Sequence, residues 1–103
     1  IQLNIALNYG SRQEIINAIK KLNKSRLSVN INNFEKFLST NNSPDPEILI
    51  RTGNTKRLSN FLLWQLSYTE IFFINKLWPD FNDKDFINIL KKFNNIKRNY
   101  GSI

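Results

Sequence analysis

At 103 residues, 41% of them hydrophobic, the chain holds enough apolar material for one small core and no more. It contains neither cysteine nor histidine, which excludes a thiolate nucleophile, a Cys/His zinc centre and an imidazole base. A formal charge of +7 is the footprint of a nucleic-acid binder only when the basic residues are gathered; here they are scattered, apart from Lys20-Lys21 and a tail from Lys91 to Arg98.

Asparagine, isoleucine and lysine supply 17, 14 and 10 residues, the bias expected of an A/T-rich genome, so much of the lysine reads as solvated surface. Nucleic acid is therefore not an expected partner. No run is apolar and long enough to span a bilayer, and nothing resembles a signal peptide. The lack of cysteine fits a cytoplasmic protein. There is no methionine and the first residue is Ile1, so further residues are expected upstream.

In chain order, residues 3–7 (Leu-Asn-Ile-Ala-Leu) read as a strand entering a turn at Asn8-Tyr9-Gly10. Ser11 and Glu14 have capping-box spacing, which predicts a helix opened by Ser11. Its apolar stripe is Ile15, Ile19 and Leu22, widened by Ile16, and it fades near Asn23. Such a turn can present backbone N–H groups and Arg12 to an anion; equally, Gly10 can serve the turn and Arg12 simply be exposed. Ile31, Phe34, Phe37 and Leu38 predict a short amphipathic helix, ended by the Asn-Asn-Ser-Pro-Asp-Pro run at 41–46.

Residues 47–51 read as a central strand covered on both faces. The strand stops at Arg51, a polar loop with Gly53 follows, and Ser59 then opens an apolar segment, a helical turn carrying Phe61, Leu62, Leu63 and Trp64. Ligands bind where strands of open α/β sheets end, and guanidinium forks match phosphate oxygens. Arg51 and Arg57 are thus candidates for a phosphate or diphosphate site, with ordinary surface charge as the alternative.

Residues 68–73 predict a further strand. Glu70 inside it needs a metal or a cationic partner to offset its desolvation. Trp78-Pro79-Asp80-Phe81 reads as a turn. Asp83 is expected to cap a last helix, with Phe86, Leu90 and Phe93 on one face and Ile87 beside them; Asp80 and Asp85 read as turn and cap residues.

The element order predicts an α/β fold with a mostly parallel sheet flanked by helices. Three short strands cannot complete a doubly covered sheet, so the fold is expected to be incomplete within residues 1–103. The chemistry left to carboxylate, arginine, hydroxyl and amide groups suits stabilisation of a departing diphosphate by a hard divalent cation and guanidinium groups.

The segments Ile50-Arg51-Thr52-Gly53, Arg57 to Gln65, Tyr68-Thr69-Glu70 and Trp78-Pro79-Asp80-Phe81 resemble the C-terminal signature of the cis-prenyltransferases, the undecaprenyl diphosphate synthase family of isoprenyl transferases. Ala6-Leu7-Asn8-Tyr9-Gly10-Ser11-Arg12 resembles that family's Asn-Tyr-Gly-Gly-Arg segment. The resemblance runs nearly end to end over the chain and covers about the C-terminal two-fifths of a family member, making residues 1–103 the C-terminal part of a single domain.

The resemblance implies condensation of isopentenyl diphosphate with an allylic diphosphate, farnesyl diphosphate being the expected one, to build a cis-polyprenyl carrier lipid such as undecaprenyl diphosphate. It implies that Arg51, Arg57 and Ser59 hold the diphosphate of isopentenyl diphosphate, with Leu58 offering a main-chain contact, and that Glu70 helps bind Mg2+. It also implies a homodimer whose tail reaches the partner's active site, in the cytoplasm, with peripheral contact at the inner membrane face through the lipid product. No protein nucleophile is required, because an allylic diphosphate leaves as a carbocation forms, and no catalytic residue is assigned within this chain.

The departures are specific. The family's aspartate-glycine-asparagine motif, which supplies the essential Mg2+-binding aspartate, and its asparagine–tryptophan–arginine segment are absent. Gly53-Asn54-Thr55 replaces Gly-Gly-Glu, Ser11 replaces a glycine, and Asn99 stands where an arginine precedes the aromatic residue and glycine of the tail. The isolated chain is expected to be inactive. The alternative is a non-catalytic dimerising subunit or degenerate remnant of such an enzyme.

Overall fold

A computed structural model describes residues 1–101. They form two compact units, one of Ile1–Asp45 with Leu58–Trp64, the other of Pro46–Arg57 with the residues from Gln65 onward.

In the first unit, helix α1 spans Ser11–Ser25 and helix α2 spans Ile31–Glu35. Glu14 in the first turn of α1 and Lys24 in its last turn complement the helix dipole. The helix ends at Arg26, whose φ of 63° is left-handed, a conformation that cannot continue a right-handed helix. α2 is opened by Asn30, whose side chain accepts from the Asn33 N–H at 2.8 Å.

The core of this unit is Ala18, Leu22, Phe34 and Leu38, with Ile15, Phe37 and Trp64 packed against it. Phe34 and Trp64 meet edge to face with centroids 4.6 Å apart, and the Trp64 Nε1–H reaches Glu35 Oε1 at 3.0 Å. The buried stripe of α1 is therefore Ser11, Ala18 and Leu22. The expected stripe is rotated: Ile16 and Ile19 are each 49% exposed. Small and polar residues carry no hydrophobic signal, so Ser11 and Ala18 were invisible to periodicity.

The strand expected at residues 3–7 does not form. A strand needs a neighbour for its backbone groups, and none is present among the described residues; Leu3, Ile5 and Leu7 stay exposed. The helical turn expected after Ser59 is absent too. Ser59, Asn60 and Leu62 have φ of 51°, 62° and 45°, so residues 58–64 form left-handed turns that a right-handed helix cannot contain.

The second unit holds strand β1 (Ile48–Arg51) and strand β2 (Glu70–Phe73). They pair in parallel with Ile48 opposite Glu70 and Arg51 opposite Phe73. Pairing begins with the Glu70 N–H on the Glu47 carbonyl at 3.1 Å and ends with the Ile74 N–H on the Arg51 carbonyl at 2.8 Å. All four β1 residues are partly covered, which agrees with a strand that has material on both faces.

A 3-10 turn at Trp78–Asp80 leads to helix α3 (Asp83–Asn94). Its cap is Asn82 rather than Asp83: the Asn82 side chain accepts from the Asp85 N–H, and the Asp85 side chain accepts from the Asn82 N–H. The expected cap, Asp83, is instead the first helical residue, and the reciprocal Asn82–Asp85 bonds place the cap one position earlier. The covered face of α3 centres on Ile89 at 2% exposure, while Phe86, Ile87 and Leu90 remain exposed. The helix thus turns Ile89 inward rather than the Phe86–Leu90 side of its apolar surface.

Candidate diphosphate and cation site

Arg51 is the last residue of β1, fixed by its register with Phe73 and by its carbonyl's bond to Ile74. The chain then reverses through Gly53 at φ 87° and Asn54 at φ 54°. A Cβ on Gly53 would meet nothing within 4 Å, so the glycine serves the left-handed backbone and not a close approach. Asn54 tolerates the same region. The turn is pinned by the Gly53 N–H on the Lys76 carbonyl at 2.7 Å and the Asn54 N–H on the Ile74 carbonyl at 3.3 Å.

Arg51 and Arg57 have no ion pair or side-chain hydrogen bond among the described residues. No carboxylate occurs between Ile48 and Thr69, while Arg51, Lys56 and Arg57 all do. Arg51 and Arg57 flank the pinned turn in sequence, and guanidinium groups without a carboxylate partner can take a phosphate group. Arg51 and Arg57 lie in the second unit; Leu58 and Ser59 belong to the first. Leu58 is half-buried and its carbonyl accepts from the Phe61 N–H at 3.1 Å. Ser59 is exposed, held at a left-handed φ, with a hydroxyl that has no partner among the described residues.

Glu70 is the first residue of β2 and half-buried. The salt bridge to an arginine, one of its two expected compensations, does not form among the described residues. Glu70 shares a face with Ile48, Ile50 and Phe72, because partners in a parallel ladder point the same way and successive residues alternate. Arg51 shares the other face with Leu49, Ile71 and Phe73. The two residues are three register steps apart, roughly 10 Å along the strands. The sheet therefore does not bring Arg51 and Glu70 together.

Among the described residues no three His, Cys, Asp or Glu side chains form a group able to hold a metal. A lone hard carboxylate without a cationic neighbour still fits Mg2+, which is held by one or two carboxylates with waters and substrate phosphates.

The turn at Gly10 is not an anion site on its amides. The Ser11 N–H donates to the Asn60 carbonyl at 2.8 Å and the Arg12 N–H to Asn60 Oδ1 at 2.9 Å. The Leu63 N–H is bound in turn by Ser11 Oγ at 2.9 Å, so Ser11 does not open the helix as a cap. A Cβ on Gly10 would stand 2.9 Å from Asn60 Nδ2, which explains the glycine; Arg12 is exposed.

Sequence reasoning also missed a network next to this turn. Tyr9 Oη donates to Glu14 Oε1 at 2.5 Å, and the Ser39 N–H and hydroxyl both reach Glu14 Oε2. Burial, reinforced by the bond to the Glu14 carboxylate, pushes the Tyr9 phenol up to about 12. Only Glu14, in the first turn of a predicted helix, gave a local signal; Ser39 is 25 positions away.

The family model described as "Putative undecaprenyl diphosphate synthase" matches residues 1–101. The isoprenyl transferase of Oceanobacillus iheyensis is 52% identical over 108 aligned residues, which cover 98% of this chain and 43% of that protein. The ditrans,polycis-undecaprenyl-diphosphate synthase ((2E,6E)-farnesyl-diphosphate specific) of Micrococcus luteus is 42% identical over all of this chain and 44% of its own length. The crystal structure of a probable undecaprenyl diphosphate synthase from Campylobacter jejuni superimposes with a TM-score of 0.87 at 42% identity, over 94% of this chain and 46% of that one. The chain spans less than half the length of the relatives it matches.

Proposed function

The chain belongs to the undecaprenyl diphosphate synthase family of cis-prenyltransferases, and from that premise we propose that it is the isopentenyl-diphosphate-binding part of an isoprenyl transferase. The reaction is condensation of isopentenyl diphosphate with an allylic diphosphate, farnesyl diphosphate first, to give a cis-polyprenyl carrier lipid. The observation that carries this reading is the pair of uncompensated guanidinium groups, Arg51 and Arg57, set around the pinned Gly53-Asn54 turn.

In this reading Arg51 and Arg57 hold the diphosphate of isopentenyl diphosphate, and the Ser59 hydroxyl adds a donor. Leu58 adds a main-chain contact. Their work is positioning and charge complementation, the terms that matter when a leaving group departs as a carbocation forms. Glu70 is the one carboxylate here for Mg2+, which when bound neutralises charge on departing diphosphate. Among the described residues no three His, Cys, Asp or Glu side chains gather into a metal site, and the family's aspartate-glycine-asparagine motif is absent from these residues, so the chain by itself is expected to be inactive. A homodimer in the cytoplasm, touching the membrane surface through its lipid product, completes the proposal. No helix of the described residues is long and apolar enough to cross a membrane.

Thr55, which replaces the family's glutamate, favours a second reading in which the chain dimerises with and stabilises a partner without catalysing. Arg51→Ala in the full natural protein separates the two. An enzyme should show a KM for isopentenyl diphosphate raised roughly 10–100-fold, the worth of a lost charge-assisted hydrogen bond. A scaffold would tolerate the change.

A further inference from the structure

We propose that Arg98 is a positioning residue for Glu70, locking the end of the sheet that carries its carboxylate. The inference rests on the reading of Glu70 as a Mg2+ ligand given above.

Arg98 follows α3 and its side chain is 15% exposed. Nη2 donates to the Tyr68 carbonyl at 2.6 Å. Nη1 lies 3.7 Å from Glu47 Oε1. The guanidinium carbon sits 5.4 Å from the Phe93 ring centroid and 4.7 Å from that of Tyr100. One side chain thus ties together the residue before β1, the approach to β2, the end of α3 and the tail. The tail is tied again by Tyr100 against Tyr68, with centroids 5.9 Å apart.

Glu70 stands at the centre of these ties. Its N–H donates to the Glu47 carbonyl, and Tyr68 precedes it by two residues. Arg98 therefore bridges the two segments that bracket the Glu70 backbone. Nη2 bonds the Tyr68 carbonyl and Nη1 faces the Glu47 carboxylate, so a guanidinium holds this end of the sheet with no ion pair to the Glu70 carboxylate among the described residues. That carboxylate keeps its charge available for a divalent cation.

A planar guanidinium suits the task, since it forks between acceptors while its faces lie on aromatic rings. Lysine offers only a point charge. Nη1 is buried without a hydrogen-bond partner among the described residues, a cost that an apolar side chain of similar volume would not carry. Arg98→Met is accordingly expected to fold.

The test compares Arg98→Met and Arg98→Lys with the parent in the full natural protein, by hydrogen exchange of the Glu70 amide and by the Mg2+ concentration needed for half-maximal prenyl transfer. Both variants should exchange the Glu70 amide faster and raise the Mg2+ requirement roughly 10–100-fold, the usual effect of losing a group that orients a metal ligand. The KM for isopentenyl diphosphate should stay near the parent value. A lower melting temperature with unchanged Glu70 exchange and unchanged Mg2+ requirement would overturn the proposal. If the parent transfers no prenyl group, the enzymatic reading falls by itself, and Glu70 exchange alone then decides whether Arg98 holds this strand.

Discussion

Asn60 caps Arg12 across 48 positions of sequence: its Oδ1 accepts the Arg12 N–H at 2.9 Å, while its carbonyl takes the Ser11 N–H at 2.8 Å. Two of the otherwise unsatisfied amides of α1 are thereby bound by a residue from the turn after Ser59. A helix and a distant turn are joined at the point where a helix N-terminus could otherwise have bound an anion.

Asn60→Ala should cost about 1–2 kcal/mol in urea denaturation, combining a lost cap with a left-handed φ that alanine resists. Asn60→Gly accepts the φ of 62° and should recover part of the loss. Equal costs for the two variants would mean that the backbone conformation contributes nothing. Gly10→Ala should destabilise the same joint, because its Cβ would meet Asn60 Nδ2 at 2.9 Å.

The Tyr9 phenol gives a pH signature. Burial and its bond to Glu14 raise it from 10.0 to about 12, so the folded state keeps a proton that the unfolded state releases. Stability from this group is fully present below pH 10 and is lost as pH rises from 10 toward 12. Ultraviolet titration should show a component ionising near 12 that Tyr9→Phe deletes. Denaturation of that variant should lose part of the alkaline slope; an unaltered slope would contradict the assignment.

The same residues show what a sequence can reveal. β1, β2, α2, the Trp78 turn and the parallel α/β class were legible because each rests on local periodicity or punctuation. Arg51 and Gly53 were legible as a strand end and its turn. The misses have nonlocal causes. The left-handed backbone at Ser59, Asn60 and Leu62 accompanies contacts to Ser11 and Arg12 that no window of neighbouring residues contains. The face of α3 was misjudged because Phe86, Leu90 and Ile89 are all apolar, and only packing chooses among them. Residues 3–7 have the pattern of a strand, but pattern does not supply a pairing partner.

Asp85 joins the cap of α3 to the turn that follows β2. Its carboxylate accepts two contacts from Lys76 Nζ, at 2.9 and 3.0 Å, besides the Asn82 N–H. The Lys76 bond, then the Asn82 bond, hold this carboxyl below its ordinary value. A depressed carboxyl stabilises the fold above its unfolded pKa and loses that contribution as pH falls through the folded value. Asp85→Asn should therefore flatten the acid side of the stability profile and lower the melting temperature slightly near neutral pH. An unchanged acid slope would show that the bond to Lys76 does not persist in solution.

Arg51 and Glu70 project from opposite faces and opposite ends of the β1–β2 pair, so their losses should have different kinetic signatures in the full natural protein. Arg51→Lys keeps a charge but loses the fork, and should raise the KM for isopentenyl diphosphate by roughly tenfold or more. Added Mg2+ should not restore it, because no metal ligand has been touched. Glu70→Gln removes the hard anionic oxygen while keeping the shape of the side chain. It should raise the Mg2+ concentration needed for half-maximal rate, with activity partly recovered at high Mg2+ as mass action refills a weakened site. Steady-state rates over a matrix of Mg2+ and isopentenyl diphosphate concentrations read both effects at once. Identical signatures for the two variants would mean that they serve one undivided function, and the separate assignment of a diphosphate clamp and a cation ligand would fall.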